Sequence, residues 1–215
     1  MNIKIRLEQE SDYRTVEELT REAFWNLHAM GCDEHLLVHK LRTCAAFIPG
    51  LSFVALKDGR IVGHIIYSLA KITDETGADH QVISFGPLSV LPALQNQGIG
   101  KALVEHSIKA AADMGCRAIL IYGYPAYYSR FGFEEAKTFG IRTGEGKFMK
   151  ALMALPLVDG ALNGISGRFF EDPVFHIDPA ETEAFDQTFP YKRKFVTDSQ
   201  RAFQQSLKDM TEDAE

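Results

Sequence analysis

The feature that most constrains this chain is a short glycine-containing loop between a predicted strand and an amphipathic helix. The loop, QNQGIGK, occupies residues 95–101 and follows the run QVISFGPLSV, which predicts a strand over about 81–90. The helix predicted over about 97–114 carries alternating charges at every fourth position and apolar residues on its other side. The apolar run AILIY at 118–122 then predicts a strand buried on both faces. A strand, a helix and a strand in this order predict a right-handed crossover between parallel strands.

Further strands and helices are predicted before this crossover. Alternating apolar and polar residues predict a strand over 3–7, and two helical patterns follow between about 12 and 44. The strands predicted over 52–57 and 61–70 are joined by an Asp-Gly pair, which is a strong signal for a two-residue hairpin turn. The chain is therefore predicted to be a mixed α/β protein whose twisted sheet is flanked by helices.

The composition of the sequence changes after about residue 156. Prolines interrupt the next segment, and acidic and aromatic residues dominate 169–190. We interpret 1–156 as the main domain and 157–215 as an appendage, with a last helix predicted over about 198–210. The aromatic residues of the appendage either anchor it to the domain or form the interface of a homodimer.

Composition and charge narrow the class of function. The 215 residues carry a formal net charge of −6, whereas a dedicated non-specific nucleic-acid binder is normally basic, so no nucleic-acid partner is expected. No apolar run reaches the roughly 18–20 residues that span a bilayer, and the first residues lack an apolar signal core, so neither membrane binding nor secretion is expected. Three cysteines without metal-type spacing indicate free thiols in a reducing compartment, which predicts a cytoplasmic protein.

The loop is suited to binding an anion. Glycines let successive backbone N–H groups turn toward one point, and the helix N-terminus adds partial positive charge, so a pyrophosphate group fits this place. The Walker pattern G-x-x-x-x-G-K-S/T is absent, and a dinucleotide fingerprint would need a third glycine where Leu103 stands. The alternative is a loop whose two glycines only permit a tight turn from strand to helix.

Two neighbouring segments favour a ligand over a simple turn. A Gly-Pro pair at 86–87 lies inside the strand before the loop, and a proline in a strand marks an edge, a bulge or a place where pairing stops. Interrupted pairing would leave the backbone groups of Leu88, Ser89 and Val90 free for an extended, amide-bearing ligand. The segment YYSRFGF at 127–133 follows the next parallel strand, whose C-terminal end should lie beside the same gap.

Together these segments resemble the GCN5-related N-acetyltransferases, the GNAT family. The string GPLSVLPALQNQGIGKAL, followed by GYPAYYSRFGF, is similar to the YhbS-like subgroup of predicted acetyltransferases in that family. The resemblance covers about residues 1–156 in element order, and its specific motifs lie in 83–134. It implies a GNAT-like fold, in which a twisted, mostly antiparallel sheet has a parallel crossover at the cofactor site. Tyr124 stands where the subgroup often has a small or acidic residue, so no acceptor preference is inferred from it.

The resemblance also implies acetyl-CoA as the donor and assigns residues to it. Backbone amides of the loop would hold the pyrophosphate; its residues are Gln95, Asn96, Gln97, Gly98, Ile99, Gly100 and Lys101. Leu88, Ser89 and Val90 would pair with the pantetheine arm. Arg130 would reach a CoA phosphate, unless it is simply solvated on its short helix. Tyr128 falls where the family places a tyrosine near the thioester sulfur, and it would protonate the departing CoA thiolate as general acid.

The acceptor side is less defined. The implied reaction is direct transfer to a primary amine, expected to be that of a small molecule, and the sequence names no base for it. Glu34 begins the second helix, in the region where this fold builds its acceptor pocket, although the helix dipole also explains an acid in a first helical turn. His35 and His39 lie four apart on that helix, but no third ligand accompanies them, so no metal is expected.

Two other functions stay open as alternatives. One is a non-catalytic acyl-CoA-binding or interaction module that uses 157–215 to contact a partner; Tyr128 favours the enzyme over this module. The other is acetylation of a protein lysine or N-terminus, for which an open groove is expected rather than an enclosed pocket.

Overall fold

The structure is a computed structural model that describes residues 3–212, with side chains described as far as residue 205. The strands are β1 (Ile3–Leu7), β2 (Phe53–Lys57), β3 (Arg60–Asp74), β4 (Asp79–Val90), β5 (Ala118–Tyr122), β6 (Glu134–Glu135), β7 (Ile141–Arg142), β8 (Phe148–Met149), β9 (Leu152–Pro156), β10 (Gly167–Phe170) and β11 (Thr211–Glu212). The helices are α1 (Tyr13–Phe24), α2 (Glu34–Leu41), α3 (Ile99–Asp113), α4 (Pro125–Tyr128), α5 (Pro179–Asp186) and α6 (Asp198–Met210).

Within residues 3–212, nine strands form one sheet, and β8 pairs separately with β11. The main path runs β1-β2-β3-β4-β5-β9-β6, and β10 and β7 extend from the far half of β3. Neighbouring strands are antiparallel except for β4 with β5 and β7 with β10. The predicted mixed, mostly antiparallel sheet with a parallel crossover and flanking helices is therefore confirmed. The β2–β3 hairpin turns at Asp58 and Gly59, which both have positive φ, as the Asp-Gly pair predicts.

Helix α3 crosses one face of the sheet between β4 and β5, and its packing explains its sequence pattern. Its charged stripe is exposed and includes an ion pair between Lys101 and Glu105 at 3.7 Å, while its other side joins the main hydrophobic core. The helix lies very close to β3 at Gly63. A Cβ atom there would lie 2.9 Å from Ile99 Cγ2 and 3.0 Å from Leu103 Cδ1, so a larger residue would push the helix away.

The end of β4 corrects one expectation. Of the three possibilities for the Gly-Pro pair, the structure shows the bulge and not an end of pairing, because β4 stays paired with β3 as far as Val90. The Gly-Pro pair is accommodated because both residues lie opposite the single residue Ile66, and the ladder resumes after this bulge. On the other side, the only β4–β5 pair among the described residues joins Ile83 to Ile119. The end of β4 is therefore open on the edge that faces β5.

The segment after residue 156 is part of the sheet as well as packed against it. Strand β10 pairs antiparallel with the far half of β3, from Lys71 to Asp74. Helix α5 is tied to α1 by an ion pair between Arg21 and Asp186 at 2.6 Å, and the following Phe189 is buried. Aromatic residues of this segment thus anchor it, while the domain boundary at 156 stays a prediction. No helix within 3–212 is long and apolar enough to cross a bilayer.

Candidate active site

The loop at 95–101 presents a run of unpaired backbone donors. Asn96 (φ 59°) and Gly98 (φ 85°) adopt left-handed conformations, which turn the chain sharply into α3. The first helical hydrogen bond runs from Ala102 N to Gly98 O, at 2.9 Å. The N–H groups of 96–101 donate to no other group in the described part of the chain. Consecutive free donors at a helix N-terminus suit a pyrophosphate.

Side chains of the loop hold its shape. The side-chain amides of Gln95 and Gln97 donate to the backbone carbonyls of Val90 and Ala93, at 3.2 and 3.3 Å. Ile99 is 1% exposed and packs into the main core. These three residues fix the loop, so a ligand would meet their backbone rather than their side chains.

The end of β4 also offers its backbone. Leu88 lines the cavity described below, and Val90 packs partly buried against the core. The Ser89 hydroxyl is buried and donates to Thr20 Oγ1 at 3.0 Å, so this side chain faces α1 and not the open edge. An extended arm with amide groups can pair with this edge as an added strand.

Loop, strand end and α4 meet at Gly100. A Cβ atom placed there would lie 3.0 Å from the Tyr127 hydroxyl, 3.7 Å from Val90 Cγ2 and 3.8 Å from Leu88 Cδ2. The exposed Arg130 guanidinium lies 4.8 Å from the centre of the Tyr127 ring and thus near the loop. The structure brings the residues predicted to bind the donor into one region.

Tyr128 lies at the bottom of this region with its ring tightly packed. Its ring centre is 5.8 Å from that of Phe85 and 5.7 Å from that of Phe133. A Cβ atom on Gly123 would lie only 2.3 Å from Tyr128 Cε2, so the ring lies directly on this glycine. Burial raises the pKa of Tyr128, and no hydrogen bond to its hydroxyl from residues 3–205 acts against this. The phenol is therefore neutral at physiological pH, and its hydroxyl is free to donate a hydrogen bond to a ligand.

A cavity of about 560 Å³ extends from Tyr128 to the other side of the sheet edge. It is lined by the bulge and the end of β4, by the end of β5, by residues of helices α1 and α2, and by residues from 149 onward. Its lining residues are Phe24, His28, Glu34, Leu37, Phe85, Gly86, Pro87, Leu88, Tyr122, Gly123, Tyr124, Tyr128, Met149, Ala151, Glu171, Phe175 and Phe203. The strand end that suits the donor and the residues that face an acceptor therefore share one space.

Glu171 is a carboxyl group in this cavity that sequence reasoning missed. It follows β10 directly, and the Ser84 hydroxyl donates to its Oε1 at 3.2 Å. Burial raises the pKa of Glu171 to about 7, although the hydrogen bond from Ser84 acts in the opposite direction. A carboxyl group with such a pKa in a cavity is a candidate general base. No local pattern marks it in the sequence, because β10 reaches the site by pairing with a distant strand.

Glu34 lines the same cavity, but its carboxylate is already engaged. It accepts a hydrogen bond from the backbone N–H of Asp33 at 3.2 Å and lies 3.7 Å from His28 Nδ1. Glu34 therefore belongs to the wall on the α2 side. The structure brings it into one cavity with Tyr128, as its assignment to the acceptor side requires.

The two histidines of α2 have separate partners. His35 is buried with its Nε2 3.4 Å from Asp186, and His39 Nδ1 lies 2.9 Å from Glu17. Among the described residues, no group of three or more His, Cys, Asp or Glu side chains is arranged to hold a metal ion.

Comparison with known proteins relates this site to one enzyme family. Residues 12–133 match the model of the family described as "Acetyltransferase (GNAT) family". The uncharacterized N-acetyltransferase YhbS of Escherichia coli strain K12 is 33% identical over 164 residues, which cover 76% of this chain and 92% of YhbS.

Two solved structures are similar over most of the chain. The crystal structure of Escherichia coli YhbS in complex with CoA superposes with a TM-score of 0.72 and 30% identity, covering 82% of this chain and 93% of YhbS. A GNAT family acetyltransferase of Brucella melitensis in complex with acetyl-CoA has a TM-score of 0.65 and 28% identity, covering 81% of this chain and 98% of its own.

Proposed function

The chain belongs to the GNAT acetyltransferase family, and on this premise we propose that it moves an acetyl group from acetyl-CoA to the primary amine of a small molecule. The solved relatives bind CoA or acetyl-CoA, which supports the same donor here. The observation that carries the proposal is a single cavity lined by Leu88, Tyr128 and Glu171. Such a cavity supplies a strand edge for the donor, an acid for the leaving group and a base for the amine.

Residues of the loop and strand bind the donor. The free N–H groups of 96–101 hold the pyrophosphate, and each hydrogen bond to this charged group contributes about 1.5–3 kcal/mol. The open edge at Leu88, Ser89 and Val90 pairs with the pantetheine arm and directs it toward Tyr128. Arg130 adds a positive charge near the phosphates.

Glu171 prepares the acceptor. An amine at neutral pH is protonated, and only its neutral form attacks a carbonyl carbon. The Glu171 carboxylate takes one proton from the nitrogen, directly or through a water molecule, and its pKa of about 7 lets it accept that proton near neutral pH.

Tyr128 completes the transfer. Acetyl-CoA, when bound, supplies a thioester that is attacked at its carbonyl carbon. The new C–N bond forms as the C–S bond breaks, and the electron pair of the broken bond leaves on sulfur. Tyr128 gives its hydroxyl proton to this sulfur. The acylated nitrogen still carries one proton too many, and it passes this second proton through water to the Tyr128 phenolate, while Glu171 releases its own proton to solvent. The products are an N-acetylated amine and free CoA.

The first experiment titrates the protein with acetyl-CoA by calorimetry and then measures CoA release with a panel of amines. We expect saturable binding of acetyl-CoA, with no binding of ATP or NAD as controls. The variant Tyr128→Phe should bind acetyl-CoA unchanged but lose about 100-fold in kcat, because the acid is missing. Tyr191→Phe, which changes a tyrosine that is 92% exposed, is the matched control with full activity.

The outcomes separate the alternatives. Failure of folded protein to bind acetyl-CoA would mean that the loop is only a turn. Binding without transfer to any amine would favour the acyl-CoA-binding module. Transfer to a protein lysine but to no small amine would favour protein acetylation; we consider this less favourable because Glu171, Phe175 and Phe203 of the C-terminal segment line the acceptor side.

A further inference from the structure

The walls of the cavity are unusually uniform in chemistry. On the acceptor side they are built from large apolar and aromatic side chains of six separate segments. These include Phe24, Leu37, Tyr122, Met149, Phe175 and Phe203. Such a surface gains free energy by excluding water and offers few polar atoms to a sugar or a peptide.

Three of the aromatic rings form one continuous wall. His28 stacks on Phe203 with ring centres 4.3 Å apart and an angle of 29°, and the ring centre of Phe24 lies 5.9 Å from that of His28 at an angle of 58°. The wall therefore joins α1 to α6. A flat or extended apolar group can pack against such a row of rings with favourable stacking geometry.

The charges in the cavity are as informative as its walls. Its carboxyl groups are Glu34 and Glu171. None of the described residues that line it is lysine or arginine, and its one imidazole, that of His28, already faces Glu34 at 3.7 Å. A substrate carboxylate or phosphate would lose its hydration here without gaining a counter-charge, which is costly. An amino acid or a phosphorylated amine is therefore a poor fit.

The number of carboxyl groups also limits the number of amines. Glu34 already faces His28 and the backbone of Asp33, so Glu171 is the carboxyl that remains for an ammonium group. A polyamine or an aminoglycoside carries several ammonium groups, and each further one would lie against apolar walls. A single amine on an apolar body matches both the charge and the surface.

We propose, on the basis of the acetyl transfer inferred above, that the acceptor is a lipophilic primary monoamine of the arylalkylamine or alkylamine class, without a carboxylate or phosphate. Its nitrogen lies at Glu171, and its apolar body packs against the wall of Phe24, His28 and Phe203. The cavity volume of about 560 Å³ is in the range of small-molecule sites, so the body is small.

The test compares four amines with the full chain and acetyl-CoA, by following release of the CoA thiol. They are 2-phenylethylamine, phenylalanine, spermidine and a lysine peptide with a blocked N-terminus. Phenylalanine has the same body and amine as 2-phenylethylamine and differs by the carboxylate alone. We expect kcat/KM for 2-phenylethylamine to exceed each of the others by about 100-fold or more, since the competitors leave buried charges unpaired.

The possible results distinguish this inference from the proposed function. Preference for phenylalanine, spermidine or the peptide would overturn the substrate class but leave the acetyltransferase. If no amine is acetylated, calorimetry with 2-phenylethylamine in the presence of CoA shows whether the cavity binds this class of amine. Binding would support the substrate class although the transfer fails. Absence of binding would overturn the substrate class alone, because the acetyl-CoA titration and the wider amine panel decide on the proposed function.

Two variants test the wall itself. Phe203→Ala should raise KM for 2-phenylethylamine about tenfold with a small change in kcat, while Tyr191→Ala changes neither. Met149→Lys adds the missing positive charge, and we expect it to raise kcat/KM for phenylalanine relative to 2-phenylethylamine about tenfold. An unchanged ratio in this second, gain-of-function variant would contradict the charge argument even if Phe203→Ala folds poorly.

Discussion

The two halves of the site are built in different ways. The donor half uses backbone groups from one continuous stretch, 86–101, and the short helix α4 that contacts it. The acceptor half uses side chains from α1, α2, the end of β5, Met149 and the segment from Glu171 to Phe203. A site made of backbone depends on chain conformation, whereas a site made of side chains depends on which residues distant segments bring together. The first kind leaves a local pattern in the sequence and the second does not.

Glu171 is the residue whose substitution should separate the two halves of the site most clearly. We expect Glu171→Gln to lower kcat by about 10²–10⁴-fold, as for loss of a general base, while acetyl-CoA binds with unchanged affinity. In the wild type, kcat/KM should fall about tenfold per pH unit below about pH 7, because protonation removes the base. This limb of the pH profile should disappear in the variant.

Glu34→Gln is the matched control, since it changes the other carboxylate of the cavity. We expect a smaller effect, mainly on KM. A larger loss of kcat in Glu34→Gln than in Glu171→Gln would mean that Glu34 on α2 is the general base instead of Glu171.

The substitution Glu171→Gln should also stabilise the folded state at alkaline pH. The folded state raises the pKa of Glu171 to about 7, above the value of 4.5 for an unburied glutamate. Below pH 4.5 the carboxyl is protonated in both states, and the free energy of unfolding is unaffected. As the pH rises toward 7, the carboxyl group of the unfolded chain releases its proton first. The free energy of unfolding of the wild type therefore falls by about 2–3 kcal/mol.

Urea unfolding of wild type and Glu171→Gln at acid and alkaline pH measures this cost. The variant should be more stable at pH 8 and equally stable at pH 4. Glu105→Gln, on the exposed stripe of α3, should show a difference of at most about 0.5 kcal/mol at either pH. Equal stability of Glu171→Gln and wild type at pH 8 would mean that the cavity does not bury this carboxyl.

On the donor half, the sharpest change is Gly100→Ala. The added Cβ lies 3.0 Å from the Tyr127 hydroxyl, so Tyr127 must move and the space beside the open strand edge narrows. We expect the Kd for acetyl-CoA to rise about tenfold, or 1.4 kcal/mol. Gly50→Ala is the control, because its Cβ meets Met114 Cε at a similar 3.2 Å away from the cavity. Equal affinities of the two variants would refute the role of the loop.

The smallest effect is expected at Arg130. Its guanidinium is exposed, so its attraction to a phosphate is screened by solvent and salt. Arg130→Ala should raise the Kd for acetyl-CoA about two- to fivefold at low salt, and the difference should vanish at high salt. Arg60→Ala, in the β2–β3 turn, serves as the control. A difference that persists at high salt would point to a buried contact instead.

The donor half of the site could be predicted from the sequence to a greater extent than the acceptor half. The strand, loop and helix from 81 to 114 could be predicted because period-two and helical patterns, glycines and charge stripes are local signals. The Gly-Pro pair allowed a bulge as one of three possibilities, but the position of the bulge opposite Ile66 could not be predicted, because it depends on pairing with β3. Glu171 and Phe203 were missed because their places depend on contacts with residues 87 or more positions away in the chain. Gly167 pairs with Asp74, and no pattern near either residue marks that partner.

The length of β3 has a consequence for how this site tolerates insertions and deletions. Its first half pairs with Leu88 through Ile65, and its second half pairs with β10 through Lys71, immediately before Glu171. One strand therefore sets the spacing between the two halves. Removing a single residue between Ile65 and Lys71 would turn the following side chains to the opposite face. Each half could then keep its own contacts while the base and the thioester no longer meet.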